Sequence, residues 1–333
     1  MARILLTGGS GFIGSQLARI ATRSGHAVTV TSAINNEVEK RRCEQLRAAG
    51  ISVAEVALDD DAGLDRVMPG HEIIIHLAAA QHEAERGETY FRKVNVEGTR
   101  HLLDAAVRAN AGRFVYGSTI GVYGSADKPG TLDEQSPLAP DNLYGRTKAE
   151  AEKLVRTYAD RIPVAIARIS ETYGPGDMRL LKLFRGISRG RFVTIGNGRN
   201  THQLIYVDEL VRGLLEVARN PAAAGETFVL AGSESLTTDQ MVAAVAAAVE
   251  RRKRIPHVPL WPFELAAIFF ETTMKPLGLR PPLHRRRLDF FRKSFRFSTL
   301  KADRLLGFRS AVRFEEGARR TAAWYREQGL LEA

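Results

Sequence analysis

Apolar residues run through the first half of the chain in two alternating rhythms. Short continuous runs rich in Ile, Val and Leu predict strands at Arg3–Thr7, Val28–Val30, Ser52–Val56, Glu72–Leu77, Arg113–Tyr116 and Val164–Ala167. Apolar positions three and four apart predict helices between them, over Ser15–Ser24, Glu37–Ala48, Glu88–Asn110 and Leu143–Ala159. Strand and helix in alternation, with right-handed crossovers, build a parallel sheet covered on both faces. The predicted class is α/β, a doubly wound Rossmann sheet whose ligands sit at the carboxyl ends of its strands.

Beyond Tyr173 the rhythm changes. Gly174-Pro175-Gly176-Asp177 is a turn, Phe192–Thr194 and Phe228–Leu230 read as short strands, and Glu209–Arg219 reads as a helix. Thr237 is a fitting N-cap for a helix reaching Val249. Pro256, Pro259, Pro262, Pro276, Pro281 and Pro282 then punctuate the chain. We read residues 1–173 as the Rossmann domain and 174–333 mainly as a smaller, partly interleaved lobe.

The first strand runs into Gly8, Gly11 and Gly14, spaced G-x-x-G-x-x-G before a helix. The first glycine permits the tight turn, the second close approach of backbone to a pyrophosphate, and the third close helix–strand packing. Free N–H groups at the helix start then favour phosphate. Strand, turn and helix in this order point to a dinucleotide.

Tyr144-Gly145-Arg146-Thr147-Lys148 opens a predicted helix, and residues four apart share a face. A cation beside a phenol favours phenolate and fits the tyrosine for acid–base work. Ser118-Thr119 closes the fifth strand, where a hydroxyl can face the same ligand.

With these motifs the chain resembles the extended short-chain dehydrogenase/reductase family, the group of nucleotide-sugar epimerases, dehydratases and 3β-hydroxysteroid-type dehydrogenases. The resemblance runs nearly end to end: T-G-G-S-G-F-I-G at Thr7–Gly14, H-L-A-A at His76–Ala79, V-N-V-E-G-T at Val94–Thr99 and S-T-x-x-V-Y-G at Ser118–Gly124. Y-x-x-x-K at Tyr144–Lys148, Y-G-P-G-D at Tyr173–Asp177 and Y-V-D-E-L at Tyr206–Leu210 complete it. The resemblance implies that Tyr144 is the general acid/base, that Lys148 also holds the nicotinamide ribose, and that Thr119 hydrogen-bonds the reacting oxygen. It further implies dinucleotide contacts from Gly8, Ser10, Gly11, Phe12, Ile13, Gly14, Ser32, Leu58, Asp59, Leu77, Ala78, Ala79 and Ile169. Asn95 matches a position usually structural in the family. A homodimer through the helices Glu88–Asn110 and Leu143–Ala159 is implied as well.

Departures from the family pattern narrow the expectation. The second strand ends in Thr31-Ser32, where NAD-preferring members carry an acid, so NAD or NADP is expected with a tilt to NADP. Glu171 stands where many nucleotide-sugar members have Asn, and His202 where many have Arg. Both changes count against a standard diphosphate site, although Arg287 or Arg199 could compensate. Gln81, Ser118, Glu171, His202 and Arg287 are the candidate substrate residues. Ile120-Gly121 follows Thr119 in place of the Asp-Glu pair expected of sugar 4,6-dehydratases, which argues against dehydration. The expected activity is hydride transfer between a nicotinamide and a secondary alcohol or ketone of hydroxysteroid type. A nucleotide-sugar 4-epimerase with tightly held NAD is the alternative, and a non-catalytic sensor or scaffold a third reading.

Composition adds bounds. The 333 residues carry a net charge of +10, read as a basic surface or as attraction to anions. Nothing matches a nucleic-acid-binding motif, and eight scattered histidines lack metal-ligand spacing. The single Cys43 forms no internal disulfide, no apolar run spans a bilayer, and the chain opens directly on a strand; a cytoplasmic protein is expected. Trp261–Phe270, with Leu277 and Leu279 beyond, is unusually apolar and is expected to pack the lobe or a dimer contact. Lining an apolar pocket, or peripheral membrane contact beside Arg285–Arg287, are its other uses.

Overall fold

The computed structural model describes residues 1–81, 86–124, 130–274 and 285–332, with the side chains of 285–287 left aside. Leu277 and Leu279, Pro276, Pro281 and Pro282, and the side chain of Arg287, lie outside the described residues. Seven parallel strands make the central sheet: β1 (Arg3–Thr7), β2 (Ala27–Ser32), β3 (Ser52–Glu55), β4 (Ile73–His76), β5 (Arg113–Thr119), β6 (Val164–Ile169) and β7 (Thr227–Leu230). Their order is β7-β6-β5-β4-β1-β2-β3, so the chain reverses direction across the sheet between β1 and β4. That reversal opens the crevice in which α/β folds hold ligands.

Helices α1 (Phe12–Arg23), α2 (Glu37–Ala48) and α3 (Asp61–Val67) follow the first three strands. The long helix expected over Glu88–Asn110 is broken into α4 (Glu88–Arg92), a π-helical stretch at Lys93–Glu97, and α5 (Gly98–Arg108). After β5 come α6 (Leu143–Arg156), α7 (Leu181–Ser188) and α8 (Val207–Arg219). The remainder holds α9 (Thr238–Ala248), α10 (Trp261–Met274), α11 (Arg285–Arg292), α12 (Leu300–Leu306) and α13 (Phe314–Glu327).

One apolar layer packs α1 and α8 on the sheet through Leu17, Ala21, Leu210 and Leu214; the opposite face packs Leu102, Leu103, Ala151 and Val155. A third cluster binds α7, α9 and α13 through Phe184, Met241, Val245 and Tyr325. Strand β7 arrives from the second half of the chain and pairs with β6, so the two halves share one sheet. Thr237 caps α9 in a full capping box with Gln240. The segment expected as a strand at Phe192–Thr194 pairs only at Thr194–Ile195. Helix α10 does not fill the lobe: only Ala267 is buried, while Trp261, Leu265, Ile268 and Phe269 share an exposed face. No described helix is long and apolar enough to cross a membrane.

Candidate active site

The loop after β1 is shaped by what a side chain would strike. A Cβ on Gly8, whose φ is +70°, would lie 2.6 Å from the Ala78 nitrogen, so glycine lets this loop nest on the loop after β4. A Cβ on Gly14 would stand 2.2 Å from the Gly8 oxygen, and Gly11 N–H donates to that oxygen at 2.9 Å. Gly11 caps α1 without a side-chain acceptor, which leaves the first-turn N–H groups of Phe12, Ile13 and Gly14 open. The cradle fits a pyrophosphate.

A buried chain of neutral hydrogen bonds holds the neighbouring loop. Thr7 Oγ1 lies 2.6 Å from His76 Nδ1 and accepts from Ala78 N–H, while His76 Nε2 lies 3.0 Å from Thr99 Oγ1. Thr99 donates to the Asn95 carbonyl, so Nε2 carries the imidazole proton and Thr7 donates to Nδ1. Burial, with the nearby Lys148 charge, pulls the His76 pKa down to about 3, which keeps the ring neutral. Asn95, within the π stretch, clasps both backbone groups of Ala80 and donates to Thr147 on α6. Leu77, Ala78 and Ala79 are thereby fixed beside the glycine loop. Leu77 also closes on Gly117 together with Ile169, at the ends of β5 and β6. Leu58 packs on Gly98 of α5, and Asp59 pairs with Lys93 at 2.9 Å. Gln81 follows Ala80, partly buried.

Thr119, Tyr144 and Lys148 meet at the end of β5. Asn142 caps α6 by accepting from Gly145 N–H at 2.9 Å, which sets Tyr144 in the first turn. A Cβ on Gly145 would approach the Gly121 oxygen to 2.6 Å, so glycine lets α6 press on the turn that follows Thr119. Burial pushes the Tyr144 phenol up to about 12, opposed by its hydrogen bond with Thr119 and the charge of Arg179. Lys148, one helical turn on, is 1% exposed, its Nζ 4.0 Å over the ring of Tyr116. Burial draws Lys148 down to about 7, with Glu152 pulling the other way. Among the described residues no acceptor takes a hydrogen bond from its ammonium. A buried ammonium with no hydrogen-bond acceptor and an open phosphate cradle are donors that fit a dinucleotide.

The expected substrate residues divide. Glu171 is exposed, and its Oε2 lies 3.4 Å from Nδ1 of the buried His202, off the line of a hydrogen bond. Partial desolvation of its carboxyl raises the Glu171 pKa, but His202 and Arg179 outweigh it and hold the group below its usual range. The other ring nitrogen of His202 faces Asn200 and Thr238, and its ring lies tilted against Phe290 with centroids 4.6 Å apart. Ser118 does not face this space. Strand alternation turns it away from Thr119, and it donates to the buried Glu152 at 2.6 Å.

Arg179 was not singled out in the sequence. It leans on the buried Asp177 at 3.0 Å and bonds the Thr172 carbonyl, yet its charge acts on both Tyr144 and Glu171. Its position two residues beyond the Y-G-P-G-D turn was the available signal. The Glu152–Arg168 pair was equally hidden, because a carboxylate one turn after Lys148 reads as a solvated helix position.

A family model described as "NAD dependent epimerase/dehydratase family" matches residues 4–231. A dTDP-glucose 4,6-dehydratase of Streptomyces niveus is 32% identical over 98% of this chain and 93% of its own length. A probable UDP-glucuronate 4-epimerase of Rhizobium meliloti is 29% identical over 97% and 96%. The dTDP-glucose 4,6-dehydratase of Streptomyces venezuelae, solved with NAD bound, superposes with a TM-score of 0.76 at 27% identity, covering 98% of this chain and 97% of that one. These named relatives are nucleotide-sugar enzymes, which favours the alternative over the hydroxysteroid-type dehydrogenase. The chain is an enzyme and belongs to the NAD dependent epimerase/dehydratase family.

Proposed function

We propose that this enzyme inverts a secondary alcohol centre on a nucleotide-linked sugar, as a 4-epimerase does, with the dinucleotide kept through the cycle. The dinucleotide supplies hydride acceptance and return at the sugar carbon. Tyr144 takes and returns the hydroxyl proton, Thr119 fixes the oxygen that bears it, and Lys148 holds the ribose that places the nicotinamide. One observation carries the choice over dehydration: the two positions after Thr119 are Ile120 and Gly121, so no carboxylate stands there to remove water. His202 and, behind it, Arg179 support the sugar-nucleotide reading, because together they offset Glu171 where a diphosphate would otherwise meet an uncompensated acid. The dimer through the segments Glu88–Asn110 and Leu143–Ala159 is retained as part of this proposal.

The test is incubation of the purified enzyme with UDP- and dTDP-hexoses, followed by proton NMR of the sugars. An epimer with no net change in dinucleotide redox state supports the proposal. A 4-keto-6-deoxy sugar would replace it with dehydration, and stoichiometric NAD(P)H release with a net dehydrogenase.

A further inference from the structure

Helix α10 packs by one side only. Its buried residue, Ala267, marks that side, and Glu264, one turn before, pairs with Arg292 of α11 at 3.3 Å. Glu271, one turn after Ala267, falls on the same side by helical spacing. Trp261, Leu265, Ile268 and Phe269 recur three and four residues apart, within an arc of about 100° on the other side. They are 64%, 59%, 41% and 61% exposed. No other described element exposes more than two large apolar side chains, so this is a continuous patch and not the usual scatter.

The two threonines that end the exposed run do not demand water. Thr272 Oγ1 donates to the Ile268 and Phe269 carbonyls at 2.9 and 3.0 Å, and Thr273 Oγ1 to the Phe269 carbonyl at 2.7 Å. A hydroxyl satisfied by its own helix leaves water at little cost. Trp261, at the start of the helix, joins an apolar ring to an N–H donor, which suits the headgroup level of a bilayer.

Charge decides between occupants. Of the 48 Lys and Arg and the 38 Asp and Glu, residues 251–296 hold twelve and three, which leaves 36 and 35 for the rest of the chain. Nearly the whole net charge of +10 therefore belongs to this segment. Arg252, Lys253 and Arg254 are exposed just ahead of α10 and pair with no described carboxylate. A second copy docked face to face would bring two such basic segments together and be repelled. Anionic headgroups instead attract the cations while the acyl boundary takes the apolar residues.

We propose that α10 is an interfacial anchor: Trp261, Leu265, Ile268 and Phe269 enter the acyl boundary of an anionic bilayer, with Arg252, Lys253 and Arg254 at its headgroups. Helix α11 joins this anchor to the candidate site. Its Arg292 holds α10, and its Phe290 carbonyl accepts from Asn200, two residues before His202, at 2.7 Å.

Co-sedimentation of the full chain with vesicles tests the anchor, using phosphatidylcholine alone and an equal mixture with phosphatidylglycerol. Binding to the anionic vesicles is expected to be at least about 10²-fold tighter and to weaken as salt rises. Trp261→Gln combined with Phe269→Gln should cut that binding at least about tenfold. Tm and dinucleotide affinity should not change, since both side chains are exposed. Arg252→Gln, Lys253→Gln and Arg254→Gln together should remove most of the preference for anionic lipid. Absence of vesicle binding, or equal binding to both vesicles, overturns the proposal. So does binding that the Trp261→Gln, Phe269→Gln variant retains in full, which would be adsorption of a basic surface without the helix. A dimer in sedimentation velocity that this variant loses, with no vesicle binding, would give the face to a second copy instead.

Discussion

At the scale of single residues, the tyrosine and the lysine act differently from the simple picture of a cation lowering its neighbour's pKa. Tyr144 is pushed up to about 12 by burial, and the groups that oppose the shift are Thr119 and Arg179, not Lys148. Lys148 is itself drawn down to about 7. The free enzyme therefore holds a reluctant cation, and an anionic dinucleotide beside it would restore its charge. Unfolded, this lysine titrates at the ordinary 10.5. Below pH 7 both states bind the proton and the folded chain bears the full cost of a buried charge. Between pH 7 and 10.5 the unfolded chain holds the extra proton, so this contribution to stability rises with pH. Lys148→Met should therefore stabilise the nucleotide-free protein by about 2 kcal/mol at pH 6. The gain should shrink towards pH 10, as urea titrations at the two pH values would show. A gain independent of pH would mean that the lysine is not strained. Tyr144→Phe should lower kcat by about 10³-fold with dinucleotide affinity almost unchanged, since the phenol acts on the substrate proton. Stopped assays and calorimetry on one preparation separate the two effects.

At the scale of elements, what was legible in the sequence was whatever repeats or stands close along the chain. The first six strands, the helices on the sheet and the Tyr144–Lys148 spacing follow from local periodicity and composition. The break in the Glu88–Asn110 helix does not, because it arises from a contact 15 residues away: Asn95 turns inward to clasp Ala80. Apolar spacing continues through the π stretch, so periodicity alone sees one helix. In the sequence Ser118 and Thr119 both read as facing ligand, yet adjacent strand positions cannot share a face. The closeness of α6 to the end of β5 was hidden in the same way, since it depends on the space beside Gly145. Gly145→Ala tests this contact. Alanine is the better helix former, yet its methyl would meet the Gly121 oxygen at 2.6 Å and lever Tyr144 from Thr119. The expected result is a loss of about 1–3 kcal/mol in stability and about 10²-fold in kcat, because small misplacements of reacting groups are expensive. A variant with unimpaired kcat would show that α6 can recede without moving the tyrosine.

At the scale of the whole molecule, the same helix ties the active site to the stability of the sheet. Glu152 lies one turn beyond Lys148, is 1% exposed, and accepts from Ser118 of β5 and from Arg168 of β6 at 3.1 and 2.8 Å. Arg168, also buried, donates onward to Tyr123 and to the Glu134 carbonyl, and the Glu134 carboxylate accepts from Val229 N–H in β7. One ionic centre thus joins α6 to three adjacent strands, the last of them contributed by the second half of the chain. Every oxygen of Glu152 is used, so removing only its partner leaves an uncompensated buried charge. Arg168→Met should cost about 3–5 kcal/mol, whereas Glu152→Gln combined with Arg168→Met should recover a substantial part of that loss. Glu152 also raises the Lys148 pKa, so Glu152→Gln should move it below about 7 and weaken dinucleotide binding, the more so the higher the pH. The loss should lessen as the pH falls and Lys148 regains its proton. Calorimetric binding at pH 6 and pH 8 would reveal this as a larger deficit at the higher pH. The same deficit at both would confine the Glu152–Arg168 centre to holding the sheet together.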